Sequence, residues 1–175
     1  MKKIVILNGS NSPNANTAAM VQAFTEGAES AGNTVVEFQV AHMDVHGCIG
    51  CMACVKKPKD DPHICVLVDD MEKIYPAVKE ADVVVFASPM YWWGITGQLK
   101  LAIDRLNAIT CHEGMGFWPK KSTALLMTYK GGGAQATLTW YAVWSRVTGC
   151  HDLGHVIGFE KENISEARQL GASIQ

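Results

Sequence analysis

The sequence predicts an α/β chain: a five-stranded parallel sheet with helices on both faces. Three observations predict it. Strand-like and helix-like patterns alternate from end to end. The runs Ile4-Val5-Ile6-Leu7, Val83-Val84-Val85-Phe86 and Ala124-Leu125-Leu126-Met127 are apolar at every position, as strands covered on both faces must be. The first run passes through a small polar loop into a helical pattern, as in the units that join parallel strands.

Each element follows in order. After the Ile4–Leu7 strand comes the loop Asn8-Gly9-Ser10-Asn11-Ser12-Pro13-Asn14-Ala15-Asn16-Thr17. Ala18 to Ala31 carries Met20, Phe24, Ala28 and Ala31 at helical spacing. Gly32-Asn33 stops that helix, and the β-branched stretch Thr34 to Val40 reads as the second strand. An irregular cysteine-bearing loop runs over about 46–65. Asp69-Asp70 caps a helix over Met71 to Ala81, where Pro76 either kinks the helix or delays its start. Asp82 to Ala87 is the third strand. Leu99, Ala102, Ile103, Leu106 and Ile109 form one helical stripe. Ser122 to Thr128 is the fourth strand, Gln135 to Val147 a helix, and Leu153 to Phe159 the fifth strand. Asn163-Ile164-Ser165-Glu166 reads as an N-cap with Glu at the third helical position, opening a terminal helix.

The 175 residues fit a single domain, with 48% hydrophobic and 18% charged residues. A net charge of −2 provides no basic field for nucleic acid. The N-terminal apolar run is too short for a signal peptide, and no stretch has the length of a bilayer span, so the expected address is cytoplasmic with no membrane partner. Six cysteines in that reducing compartment read as thiols or metal ligands rather than disulfides.

In an open parallel sheet, ligands sit beyond the carboxyl ends of the strands. That rule gathers three loops: Asn8 to Thr17, Ser88 to Gly94, and Tyr129 to Gly133. The first suits a phosphate monoester. A helix N-terminus supplies unpaired N–H groups and partial positive charge, and Ser10, Asn11, Ser12, Asn16 and Thr17 add side-chain donors. It lacks the Gly-Lys-Thr ending of a nucleoside-triphosphatase loop and the Gly-x-Gly-x-x-Gly of a dinucleotide fold. The plainer alternative is a Ser/Asn-rich loop that merely caps its helix. The second loop, Pro89-Met90-Tyr91-Trp92-Trp93, offers a flat-ring surface, with core packing or a subunit interface as alternatives. The third exposes backbone. A phosphate joined to an aromatic heterocycle is the simplest ligand that uses all three.

With Gly9-Ser10 through Asn16-Thr17, Ser88-Pro89-Met90-Tyr91-Trp92, Gly97-Gln98-Leu99-Lys100 and Ile103-Asp104-Arg105 in place, the chain resembles the flavodoxin-like NAD(P)H-dependent flavin and quinone reductases. It most resembles their iron–sulfur flavoprotein branch, from Lys3 to about Ile157. The resemblance implies FMN. Ser10, Asn16 and Thr17 would hold its phosphate, Pro89, Met90, Tyr91 and Trp92 would run along the isoalloxazine, and Thr128, Tyr129, Lys130, Gly131 and Gly132 would flank the ring. It also implies NAD(P)H as cosubstrate and a quinone, flavin or protein as electron acceptor. Two other classes remain beside the enzyme: an electron carrier like flavodoxin, and a flavin-binding regulatory module. Asp104-Arg105 otherwise reads as a solvated helix pair.

Cys48-x2-Cys51-x2-Cys54, followed by Cys65, is the second signal. Four thiolates suit a [4Fe–4S] cluster or zinc, and the spacing of the first three follows bacterial ferredoxins. The gap to Cys65 is longer than is usual in the iron–sulfur flavoproteins. Metal-free packing thiols are the third reading. Cys111 and Cys150 stand isolated and read as structural. His42, His46 and His63 are spare ligand candidates or ordinary loop histidines. The helix Gln135 to Val147 is apolar nearly all round, with Trp140, Val143, Trp144 and Val147 opposite Leu138, Tyr141 and Ala142, which predicts a homodimer.

Overall fold

The computed structural model describes residues 1–12 and 14–175; Pro13 of the first loop lies outside them. Its elements are β1 (Lys3–Asn8), α1 (Asn16–Ser30), β2 (Thr34–Gln39), α2 (Ala53–Lys56), α3 (Met71–Glu80), β3 (Val83–Pro89), α4 (Gly97–Arg105), α5 (Asn107–Glu113), β4 (Ser122–Thr128), α6 (Ala134–Thr148), β5 (His151–Ile157) and α7 (Lys161–Ala172). The five strands form one parallel sheet in the order β2-β1-β3-β4-β5. Successive strands are added first to one side of β1 and then to the other, so the connections diverge between β1 and β3 and leave a crevice at their carboxyl ends.

The unbroken apolar strands split their side chains between two cores. Val5, Leu7, Val84, Phe86, Leu125 and Met127 face α3, α4, α5 and α6. Ile4, Ile6, Val83, Val85, Ala124 and Leu126 face α1 and α7. Alternation with period two does this automatically once register is set, as in Leu7 opposite Phe86 opposite Leu125. Helices α1 and α7 approach until a Cβ added at Gly27 would strike the Arg168 backbone, and one at Gly171 the Phe24 backbone.

The expected elements are present, with four corrections. The stripe from Leu99 to Ile109 is two helices, broken at Leu106, although all its apolar members are buried. Helix α3 starts at Met71 without delay and runs through Pro76, so only the Glu72 carbonyl loses its donor. Lys121 Nζ closes the far end of that helix on the Lys79 and Ala81 carbonyls, at 2.7 and 2.6 Å. Helix α7 begins earlier than expected: Glu160 is its N-cap, and Asn163 sits at the third helical position of a reciprocal capping box. Finally, the second face of α6 is partly covered by its own chain. The Trp144 ring meets Phe86 and Trp118 edge-on at centroid separations of 5.0 and 5.2 Å. Trp118 comes from a 3₁₀ turn at Trp118–Lys120. Val143 and Val147 of α6 stay exposed.

Candidate functional site

The three loops converge at the carboxyl ends of β1, β3 and β4, which are neighbours in the sheet. The first is folded by its own polar groups. Ser10 N–H donates to Asn8 Oδ1 at 2.9 Å, and the Ser10 hydroxyl and Ser12 backbone lie 3.4 Å apart in both directions. Gln39 Nε2 and His42 Nε2 hold the Ser10 and Asn11 carbonyls from the end of β2, at 2.5 and 3.0 Å. A Cβ at Gly9 would collide with Thr96 Oγ1 and Leu99 Cβ, so glycine is what lets α4 approach this loop. Ser10 and Thr17 are buried, whereas Asn11, Ser12 and Asn16 are exposed.

Ala15 occupies the N-cap position of α1. Among the described residues no side chain caps that helix, and its first turn carries no acid. A loop this rich in Ser and Asn that leaves Ala at the cap is not a capping loop; it leaves the first-turn N–H groups and their positive potential open to an anion. Thr17 Oγ1 lies 2.6 Å from Thr128 Oγ1. One of the two hydroxyl hydrogens closes that bond, and the other is left free by it. The pair ties the first loop to the third.

The second loop is a tight turn. Tyr91 and Gly94 exchange backbone hydrogen bonds of 2.9 and 3.0 Å, with Trp92 and Trp93 between them at φ of 48° and 58°. Both sit in the left-handed region that Asn and Gly normally fill. The result lifts Tyr91, Trp92 and Trp93 outward, with Trp92 89% exposed. Core packing is therefore excluded for Trp92. Trp93 lies against Gly133, where any side chain would meet its indole, and its carbonyl accepts from Thr137 Oγ1 at 2.9 Å. Met90 N–H donates to the Thr128 carbonyl at 2.8 Å, joining the second loop to the third. Tyr129 is half-buried, and Lys130, Gly131 and Gly132 are exposed beside it.

The cysteine loop is anchored by a residue that the sequence reading misplaced. Asp104 does pair with Lys100 in solvent, at 2.6 Å. Arg105 does not: it is 2% exposed. Its guanidinium reaches Asp69 Oδ2 at 2.6 Å, the His46 carbonyl at 2.9 Å and the Leu67 carbonyl at 3.4 Å, and Nε donates to the Tyr75 hydroxyl at 3.1 Å. Both stems of the loop thus close on one buried cation. Burial works against the Asp69 carboxylate, but Arg105 and the His46 and Met71 N–H groups hold it below the usual carboxylate range.

Cys48, Cys51, Cys54 and Cys65 line one cavity of about 100 Å³, walled also by Arg105, Asn107 and Ala108. All are free thiols. Among the described residues no three Cys, His, Asp or Glu side chains converge as a single metal ion requires, which tells against a preformed zinc site. The same holds for a cluster: among the described residues the four thiols line one cavity without converging as a preformed ligand set. His63 and His46 face Glu72 and Asp69, and His42 is bound to the first loop, so the spare histidines are engaged elsewhere. Cys111 is not isolated. The Cys54 thiol is pushed up to about 11, by burial first and then by the neighbouring Cys111 and Cys65 thiols. Cys150 is buried between Thr123 and Thr148 at 3.3 Å from each hydroxyl, a packing role as expected.

Sheet order and connectivity together define an α/β protein of the flavodoxin-like fold. The chain belongs to the NADPH-dependent FMN reductase family, which matches residues 2–163, and it is a flavin oxidoreductase. It is 29% identical to an iron–sulfur flavoprotein of Archaeoglobus fulgidus, across 99% of this chain and 79% of that one. It is 31% identical to an iron–sulfur flavoprotein of Methanocaldococcus jannaschii, across 59% of this chain and 51% of that one. Among solved structures, the NAD(P)H:quinone oxidoreductase of Methanothermobacter marburgensis superposes with a TM-score of 0.71 over 99% of both chains, at 16% identity. Among the described residues no helix is long and apolar enough to cross a membrane.

Proposed function

We propose that the chain binds FMN at the crevice, takes hydride from NAD(P)H and passes electrons to a quinone, flavin or protein acceptor in the cytoplasm. The observation that carries this reading is the uncapped N-terminus of α1, opening beside Ser10 and the Thr17–Thr128 pair. First-turn N–H groups and the free hydroxyl hydrogen would hold the phosphate, with Asn11, Ser12 and Asn16 at its rim. Pro89 to Trp92 and Thr128 to Gly132 would border the ring from either side. The flavin, when bound, supplies the redox chemistry. The chain orients it, and the exposed Trp92 limits which flat molecules can stack next to it.

Replacing both Ser10 and Thr17 by Asp places negative charge at the phosphate position. A folded, colourless protein is the expected result; stoichiometric flavin in the folded double variant would overturn the assignment. Steady-state NAD(P)H oxidation with added quinone separates an enzyme from an electron carrier or a regulatory module.

A second reading adds a [4Fe–4S] cluster on Cys48, Cys51, Cys54 and Cys65. The shared cavity and the names of the relatives support it. Iron and sulfide assays after anaerobic reconstitution test it, with about four irons per chain expected. We also propose a homodimer through the exposed part of α6, where Val143 and Val147 are exposed and Val147 and Met115 line a cavity of about 330 Å³ together with Trp118, Trp140 and Trp144. Light scattering at micromolar concentration should return twice the chain mass.

A further inference from the structure

Three side chains from the end of β2 hold the first loop: Glu37, Gln39 and His42. Glu37 Oε1 accepts from Asn8 Nδ2 at 2.8 Å, which fixes that amide with its oxygen on the Ser10 N–H. Gln39 Nε2 donates to the Ser10 carbonyl at 2.5 Å, and His42 Nε2 meets the Asn11 carbonyl at 3.0 Å. In a trans peptide the C=O and the N–H point in opposite directions, and no peptide among the described residues is cis. Holding the Ser10 and Asn11 carbonyls toward β2 therefore turns the Asn11 and Ser12 N–H groups away from it. In the sheet, β2 lies on one side of β1, and β3 and β4 lie on the other. The two N–H groups are thus turned toward the strand ends that frame the crevice. The Asn11 N–H has no acceptor among the described residues. The Ser12 N–H has only the Ser10 hydroxyl, at 3.4 Å.

We infer that Gln39, seconded by His42, is a positioning residue that aims the Asn11 and Ser12 N–H groups at the flavin phosphate, and so sets a preference for FMN over riboflavin. The inference rests on the FMN reading above and names the side chains that enforce it. Each acts through the peptide it holds, not by contact with the flavin. The physical reason is preorganisation. Donors already aimed at an anion need no ordering when it arrives, and hydrogen bonds to a charged acceptor are the strong ones. Released from β2, the two peptides could rotate and turn carbonyl oxygens toward the phosphate, which repels them. Riboflavin has no phosphate, so its ring contacts with Pro89 to Trp92 and Thr128 to Gly132 do not depend on this clamp. The Gln39 bond is half-buried and the His42 bond exposed, so Gln39 carries the larger share.

The test measures FMN and riboflavin affinity of the purified, flavin-stripped full-length chain by flavin fluorescence. Gln39→Met keeps the length of the side chain and removes the donor. FMN binding should weaken about tenfold, the size of one lost hydrogen bond, while riboflavin affinity stays within about twofold. His42→Ala should weaken FMN binding about threefold with the same selectivity. Its side chain is exposed, so this variant carries the test should Gln39→Met fail to fold. Inorganic phosphate added to the native chain should shift the Asn11 and Ser12 amide resonances, and in Gln39→Met those shifts should shrink. Equal loss of FMN and riboflavin affinity overturns the inference, because it reports damage to the whole crevice. A native chain that binds FMN no better than riboflavin overturns the phosphate reading, and the inference falls with it. A native preference for FMN that survives both variants overturns the inference alone.

Discussion

Arg105 shows what one buried charge can organise. A guanidinium does not deprotonate in a folded protein, so it must be neutralised where it lies. Asp69 does this, and the carbonyls of His46 and Leu67 take the remaining donors. Arg105→Met would strand the Asp69 carboxylate, and removing one member of a buried pair costs about 3 kcal/mol or more. Urea unfolding should show that loss, whereas Lys100→Met, which breaks only the solvated pair with Asp104, should change stability by less than about 1 kcal/mol. The Asp69 carboxyl titrates lower in the folded chain than in the unfolded one. Its contribution is therefore complete above the unfolded value and disappears as pH falls through the folded one. The stability gap between the native chain and Asp69→Asn should be constant near neutrality and close below about pH 4. The sequence held a signal for all this. Arg105 lies three residues after Ala102, on the flank of the apolar stripe, while Lys100 and Asp104 fall on the other side. A cation on an apolar flank needs an anion, but which one depends on tertiary contacts far apart in sequence.

At the scale of elements, the turn at Tyr91–Gly94 sets conformation against function. Two non-glycine residues in the left-handed region each cost about 1 kcal/mol. Trp92 has little packing to lose, being 89% exposed. Trp92→Asn should therefore raise the melting temperature by about 2 °C, while weakening whatever stacks beside it at the crevice. A lower melting temperature would show that the indole has a structural partner. The α1–α7 contact is the opposite case, with no room at all. Gly27→Ala would force the two backbones apart, at a cost of about 2 kcal/mol by analogy with overpacked cores, measurable as a drop in melting temperature. Element boundaries were legible where periodicity set them, as at Ser122–Thr128. They were not where an unusual cap did. Glu160 is a poor residue by capping preference, and only the return bond from Asn163 makes it serve.

For the whole molecule, the parallel sheet could be read from sequence because its strands are apolar at every position, and that pattern admits few other architectures. The loops at its carboxyl edge were legible for the same reason: topology carries them there once strand order is given. Contacts between distant segments were not legible, and Arg105 on Asp69 is the clearest example. Helix α4 links the two regions. Thr96, at its start, donates to the Gly9 carbonyl and accepts from Leu99, and its N–H is held by Ser88, while Arg105 at its end grips the cysteine loop. The tryptophans divide between two environments in this frame: Trp118 is 3% exposed against Trp144, and Trp92 stands in water at the crevice. Indoles in apolar surroundings emit at shorter wavelength than hydrated ones. The chain thus contains two optically distinct reporters. Its red emission should dim when a chromophore enters the crevice while its blue emission persists, and the blue should shift only when the fold itself opens in urea.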